Sequence, residues 1–196
     1  MKVQELGRGL WRWAAPHPDW EPPKEKDSPA DWPELVGSVA YDCGDTLVLV
    51  DPLVPDDGWA ELDRLARDRK VRVLTTIAWH RRSRGAVVER YGGVVSNARA
   101  TLPDGVELIT IEGAREHMVW ISEHGALVPG DRLLGDGDPL RVCPDSWMRY
   151  LKGFTGVELR RELRKLLDLP VRMILTSHGE PVLHDARAAL EGALAE

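Results

Sequence analysis

The chain has 196 residues, 43% of them hydrophobic and 30% charged, which suits a soluble globular protein with a sizeable core. Its formal net charge of -6 argues against general nucleic-acid binding, because that function uses a basic surface. No apolar run approaches the roughly 18 residues that a membrane helix needs, and residues 1–9 lack the apolar core of a signal peptide, so we expect a cytoplasmic protein without a membrane partner.

The first part of the chain predicts a hairpin and a long loop. Residues 3–6 and 10–13 predict the two strands of the hairpin, with the turn at residues 7–9. Residues 14–33 contain six prolines and many charges, so we expect an ordered loop there. Four tryptophans fall in the first 32 residues. Their rings either pin this segment to the domain or form an aromatic wall over a pocket.

Apolar periodicity predicts the remaining elements. Residues 46–50 are almost continuously apolar, which is typical of a strand buried on both faces. The predicted strands are 36–41, 46–50, 71–75, 94–96, 106–111, 118–121, 126–128 and 171–176. The predicted helices are 57–69, 83–91, 156–169 and 185–194. Mixed β-sheets covered by helices on their outer faces would satisfy this α/β order.

Four loop motifs occur in an order that resembles the metallo-β-lactamase superfamily. The segment from Thr76 to Arg82 is similar to the T-H-x-H-x-D-H metal loop of the family, and Ile111-Glu112-Gly113-Ala114 stands where the family has T-P-G-H. Pro129-Gly130-Asp131 and Thr176-Ser177-His178-Gly179 are similar to its Gly-Asp and Ser-His-Gly motifs. The resemblance implies an αββα sandwich, a single domain over residues 1–196 with a wrapping segment at about 14–33.

Most of the metal-ligand positions that the resemblance implies carry other residues. Ile77, Trp79, Arg81 and Arg82 stand at the positions of His, His, Asp and His, and Ala114 stands at a further His. Asp131 and His178 keep ligand-capable side chains. Two ligands do not hold zinc tightly, and an arginine repels a cation, so we expect no cofactor and no metal.

An alternative set of ligands is nevertheless present. His80 is one residue from the second ligand position, and a local shift of the loop would bring it inward. His17 lies in the wrapping segment and could reach a pocket. Together with Asp131 and His178, these residues would give three or four ligands for zinc or another divalent transition metal.

Two functions follow from these alternatives. The first is a metal-free relative of the hydrolases that binds a small polar or anionic ligand through Arg81, Arg82 and Trp79, with one arginine paired to Asp131. The second is a metal-dependent hydrolase of an ester, lactone, thioester or phosphoester. In either case Asp131, His178 and His80 are the catalytic candidates. A metal-free serine hydrolase, using Ser83 or Ser177, is disfavoured because the G-x-S-x-G elbow is missing.

Overall fold

The computed structural model describes residues 1–96, 101–135 and 140–195, and its larger sheet has six strands in chain order. The first four strands are antiparallel, and the last two run parallel to the fourth. All five side chains of the fourth strand are buried, as its continuous apolar sequence predicted. The strands are β1 (Gln4–Gly7), β2 (Leu10–Pro16), β3 (Leu35–Asp42), β4 (Thr46–Val50), β5 (Lys70–Leu74) and β6 (Val94–Ser96).

The second sheet has four strands, and a short separate hairpin accompanies it. The first three strands of this sheet are antiparallel, and the last strand is parallel to its neighbour. In spatial order the sheet consists of β12 (Met173–Ile174), β9 (Ala126–Val128), β8 (Glu116–Ile121) and β7 (Val106–Ile111). The hairpin pairs β10 (Leu133–Leu134) with β11 (Arg141–Val142).

Helices cover the outer face of each sheet. One pair is α1 (Trp59–Ala66) and α2 (Arg84–Tyr91), and the other is α3 (Gly156–Leu163) and α4 (Ala186–Ala195). Leu62 of α1 and Val87 of α2 pack with side chains of the six-stranded sheet. Apolar side chains from both sheets, among them Val48 and Val119, fill the space between them. The result is the αββα sandwich that the sequence predicted. No helix in the described residues is long and apolar enough to cross a membrane.

Several predicted boundaries were wrong. β2 continues to Pro16, so the first residues of the predicted loop are strand. The helix predicted over 57–69 stops at Ala66 because Arg67 leaves the helical region of backbone space, with ψ of 126°. The helix predicted over 156–169 is α-helical to Leu163 and continues as a 3₁₀ helix to Asp168. Of the strand predicted over 171–176, β12 forms the regular part.

The proline-rich segment that follows β2 is an ordered loop without helix or strand. The indole Nε1 of Trp20 donates to the Trp32 carbonyl at 2.8 Å. From the body of the protein, the Trp147 indole donates to the carbonyl of Ser28 at 2.9 Å. These bonds hold the segment against the domain, which is the first of the two predicted alternatives. The position of Trp32 beside the cavity, described below, agrees with the second alternative, an aromatic wall.

Candidate ligand site

The four loops that carry these motifs meet at one edge of the sandwich. The amide of His117 donates to the Thr76 carbonyl at 2.7 Å, and that of Gly135 donates to the His178 carbonyl at 2.9 Å. A cavity of about 450 Å³ opens among these loops and beneath the wrapping segment. Its lining residues are His17, Asp19, Pro29, Trp32, Val36, Trp79, His80, Arg82, Asp131, Trp147, Tyr150 and His178.

The floor of the cavity is the Asp131 carboxylate, which is buried and surrounded by three donors. Oδ1 lies 2.9 Å from Nε2 of His80 and 3.1 Å from Nε2 of His178. The indole Nε1 of Trp79 donates to Oδ2 at 2.7 Å. Burial acts to raise the pKa of Asp131, but the His80 charge and the two histidine hydrogen bonds hold it well below its usual value. Asp131 is therefore ionised, and three protein groups donate hydrogen bonds to it.

His80 lies between two carboxylates. Its Nε2 faces Asp131, and its Nδ1 is 2.9 Å from Oδ2 of Asp51. Burial acts to lower the pKa of His80, yet the charges of Asp131 and Asp51 raise it to about 9. In the imidazolium form both ring nitrogens are donors, which matches two carboxylate acceptors. His80 is thus a buried cation at neutral pH.

Asp51 was not predicted as a site residue, although it directly follows the wholly buried β4. Its backbone has a φ of 46°, a left-handed conformation that aspartate tolerates better than most residues. The conformation turns its carboxylate toward the site, where the Thr76 amide donates to Oδ1 at 2.9 Å and the Thr76 hydroxyl donates to Oδ2. These bonds leave Oδ2 also facing His80.

The predicted pair between Asp131 and an arginine does not form among the described residues. Nη1 of Arg82 donates to the carbonyls of Gly37 and Asp51, at 2.6 and 2.9 Å, and Nη2 donates to the Ser177 hydroxyl at 2.6 Å. Arg81 is exposed and does not line the cavity. The reason is a tight turn, in which the His80 amide donates to the Ile77 carbonyl at 3.0 Å. This turn puts His80 where an arginine was expected.

Behind the floor lies a buried network that the sequence did not indicate. Both Glu116 carboxylate oxygens accept backbone amides, from Gly130 at 3.0 Å and from Asp131 at 2.8 Å. A side chain at Gly130 would collide with Thr76 and Glu116, so glycine is required for this close approach. Burial raises the pKa of Glu116 to about 7, against the lowering effect of Arg132. The network fixes the backbone that presents Asp131.

Aromatic rings form the walls of the cavity. Trp32 from the wrapping segment meets the rings of His17 and His178 edge-on, with centroids 5.2 and 5.7 Å apart. Trp147 meets His178 in the same way at 5.5 Å. Trp79, which is 50% exposed, stands at the mouth of the cavity. The wrapping segment therefore contributes an aromatic wall, and it is pinned to the body of the protein by Trp147.

His80, Asp131 and His178 are also the described residues that could hold a metal ion. One donor atom from each lies within 4.8 Å of the others. His17 lines the cavity without belonging to this group. The two serines considered as nucleophiles are engaged elsewhere, because Ser177 accepts from Arg82 and Ser83 accepts from the Val54 amide at 2.9 Å. The Ser83 hydroxyl does not cap α2.

The structure is similar to solved metallo-β-lactamase structures. That of Hirschia baltica has a TM-score of 0.64 and 15% identity, with 99% of this chain and 96% of that chain covered. That of Pontibacter korlensis has a TM-score of 0.63 and 12% identity, covering 100% and 99% of the two chains. FIM-1 from Pseudomonas aeruginosa, solved in the mono-zinc form, has a TM-score of 0.59 and 12% identity, covering 99% and 94%.

These similarities show that the chain has the metallo-β-lactamase fold. No protein-family model matches the chain, and no curated protein matches it in sequence. Identities of 12% to 15% are what a strongly divergent sequence on this fold would give. Because one fold supports many functions, the function has to be argued from the site itself.

Proposed function

We propose that this protein is a metal-free relative of the metallo-β-lactamase-fold hydrolases, and that its cavity binds a small anionic ligand. One observation carries the proposal. The carboxylate of the cavity floor, Asp131, already accepts hydrogen bonds from three protein donors, whereas the guanidinium of Arg82 donates to neutral acceptors. The cavity wall thus presents a positive charge whose hydrogen-bond partners are neutral groups.

The hydrogen-bond partners of Arg82 support an anion rather than a cation as the ligand. Arg82 stays protonated at any ordinary pH, and no described carboxylate oxygen accepts a hydrogen bond from it. Asp19, the other carboxylate of the lining, is exposed at the rim and well hydrated. A ligand anion in the cavity would therefore approach a guanidinium that is not directly paired with a carboxylate, at low local dielectric. Under this proposal His80, Asp131 and His178 form the floor of the binding site.

The donor set argues against a tightly held divalent ion at neutral pH. A catalytic zinc site needs three protein ligands, and these three residues reach that minimum. However, an ion bound by Nε2 of His80 would have to displace a proton from a group with a pKa of about 9. At pH 7 the proton competes with the ion for this nitrogen and so weakens metal binding. The nearby guanidinium of Arg82 opposes the ion further.

A metal-dependent hydrolase is the second candidate function, and a specific observation favours it. His80, Asp131 and His178 supply three convergent donor atoms beside a cavity of suitable size. The Nδ1 atom of His80 faces Asp51, which is how a carboxylate commonly orients a metal-bound histidine. The substrate would then be an ester, lactone, thioester or phosphoester, and the metal would supply an activated water.

Zinc is expected to leave the thermal stability nearly unchanged at pH 7. A ligand held a thousandfold above its dissociation constant would add about 4 kcal/mol, which would raise the melting temperature of a chain of this length by about 10 °C. Melting curves with equimolar zinc, with magnesium and with a chelator should therefore coincide within a few degrees. A rise of about 10 °C with zinc alone would select the hydrolase instead.

Anion binding can be tested directly by titrating the protein with acetate, benzoate and phosphate while recording tryptophan fluorescence. Trp32, Trp79 and Trp147 line the cavity and should report its occupation. The variant Arg82→Met should lose the response, whereas the control Arg64→Met, which alters an exposed arginine of α1, should keep it. Failure of every anion to bind the unaltered protein would refute the proposed function.

A further inference from the structure

Tyr150 stands at the mouth of the cavity. It is 46% exposed, and its ring meets the Trp79 indole edge-on with centroids 5.3 Å apart. The stretch that carries it follows the short 3₁₀ helix Asp145–Met148. Tyr150 lies outside the four loop motifs of the sequence.

The hydroxyl of Tyr150 is held by a buried cation. Its oxygen accepts a hydrogen bond from Nη2 of Arg132, whose side chain is fully buried. A guanidinium has no acceptor atom, so in this bond the tyrosine oxygen must be the acceptor. Its own proton is therefore left to donate elsewhere. Within the described parts of the chain, no acceptor receives that proton.

Arg132 makes this hydroxyl a better donor. A hydrogen bond accepted from a charged group polarises the O–H bond, and the effect is larger where the local dielectric is low. Arg132 is fixed in place by the Ala114 carbonyl at 3.3 Å and by Glu116, whose Oε2 lies 3.8 Å from its Nε. Burial also raises the pKa of Tyr150 above its usual value, so the hydroxyl keeps its proton at neutral pH.

The walls of the same cavity indicate the body of the ligand. Trp32, Trp79 and Trp147 line it together with Tyr150, and flat apolar surfaces of this kind pack against flat apolar ligands. Arg82 is a positive group in the same wall. The anionic end of such a ligand would pair with this charge and accept a hydrogen bond from the Tyr150 hydroxyl. A carboxylate is the simplest anion that can accept hydrogen bonds from both a hydroxyl and a guanidinium.

We infer that the ligand is an aromatic carboxylate and that Tyr150 recognises it by donating its hydroxyl proton to a carboxylate oxygen. The inference rests on the proposed function, since it needs the cavity to bind an anion. It adds a residue that determines specificity and a chemical class of ligand. It also gives the buried Glu116–Arg132 pair a role, which is to position the tyrosine.

The test compares benzoate with toluene, which has the same ring and no carboxylate, by isothermal titration. Tyr150→Phe keeps the ring and its contact with Trp79 but removes the hydroxyl. We expect the Kd of benzoate to rise about tenfold or more, because a hydrogen bond to a charged group is lost, while toluene binding is unchanged. The matched control is Tyr91→Phe, since the Tyr91 hydroxyl donates to Asp63 on the helical outer face.

Comparing the two compounds distinguishes a loss of carboxylate recognition from a folding defect. Loss of folded protein would lower the binding capacity for both equally, whereas the inference predicts a change in their ratio. On the unaltered protein, benzoate is further expected to raise the pH at which one tyrosine ionises, because ionisation would remove the donated proton. If benzoate binding requires Arg82 but survives Tyr150→Phe, the inference is overturned and the proposed function stands. If no anion binds, both fail.

Discussion

Replacing His80 with glutamine is expected to lower the free energy of unfolding at pH 7 by about 3–5 kcal/mol. The imidazolium is buried between Asp51 and Asp131, at 2.9 Å from an oxygen of each. Glutamine has a similar length and can still form hydrogen bonds, but it carries no charge. The variant would therefore leave two carboxylates buried without the cation that separates them.

Urea unfolding of the His80→Gln protein measures this loss, and His184→Gln is the matched control because His184 is exposed. Adding Asp131→Asn to His80→Gln should recover part of the stability, since it removes one of the stranded charges. The coupling between the two changes would then be at least 1 kcal/mol, the size usual for residues in direct contact. Simple additivity of the two single changes would show that His80 does not carry the charge.

The second large effect is a loss of stability as the pH rises. The folded-state pKa of His80 is about 9, above the usual value of 6.5. A raised pKa means that the folded protein binds the proton more tightly than the unfolded chain does, so the stabilisation is fully present below about pH 6.5. It is lost as the pH passes through about 9, by a total of about 3 kcal/mol.

The measurement is the free energy of unfolding from pH 6 to pH 10, for the unaltered protein and for His80→Gln. The variant should lack this decline, so the difference between the two curves should shrink as the pH rises. Asp131 acts in the opposite direction, since its lowered pKa gives stability that is lost only as the pH falls into the acid range. Parallel curves for the two proteins above pH 7 would mean that His80 is neutral.

Much of the fold could be predicted because its signals are local. The apolar run of β4 reflects burial on both faces of the strand. The helical spacing around Leu62 reflects burial on one face of α1. The β10–β11 hairpin was missed because strands of two residues show no alternation. Most of residues 171–176 were wrongly predicted as strand, since an apolar run records burial and not hydrogen-bonding partners. The end of α1 depends on the backbone of a single residue, Arg67, which periodicity does not show.

Three residues of the site were predicted from the sequence, but the hydrogen bonds that join them to the rest of the site were not. The order of the loop motifs placed His80, Asp131 and His178 together, and the structure agrees. The choice between His80 and an arginine as the partner of Asp131 depended on one turn of backbone after Ile77, which has no sequence signal. The buried Arg132 and the tyrosine that it holds come from separate parts of the chain, so only the tertiary structure brings them together.

The central claim is that a proton on His80, together with the charge of Arg82 and not a metal ion, balances the charges of Asp51 and Asp131. The most direct test is the metal content of protein purified without chelator, incubated with equimolar zinc at pH 7 and passed through a desalting column. The claim predicts far less than one zinc, iron or manganese ion per chain. One tightly held ion per chain would contradict it and establish His80, Asp131 and His178 as ligands.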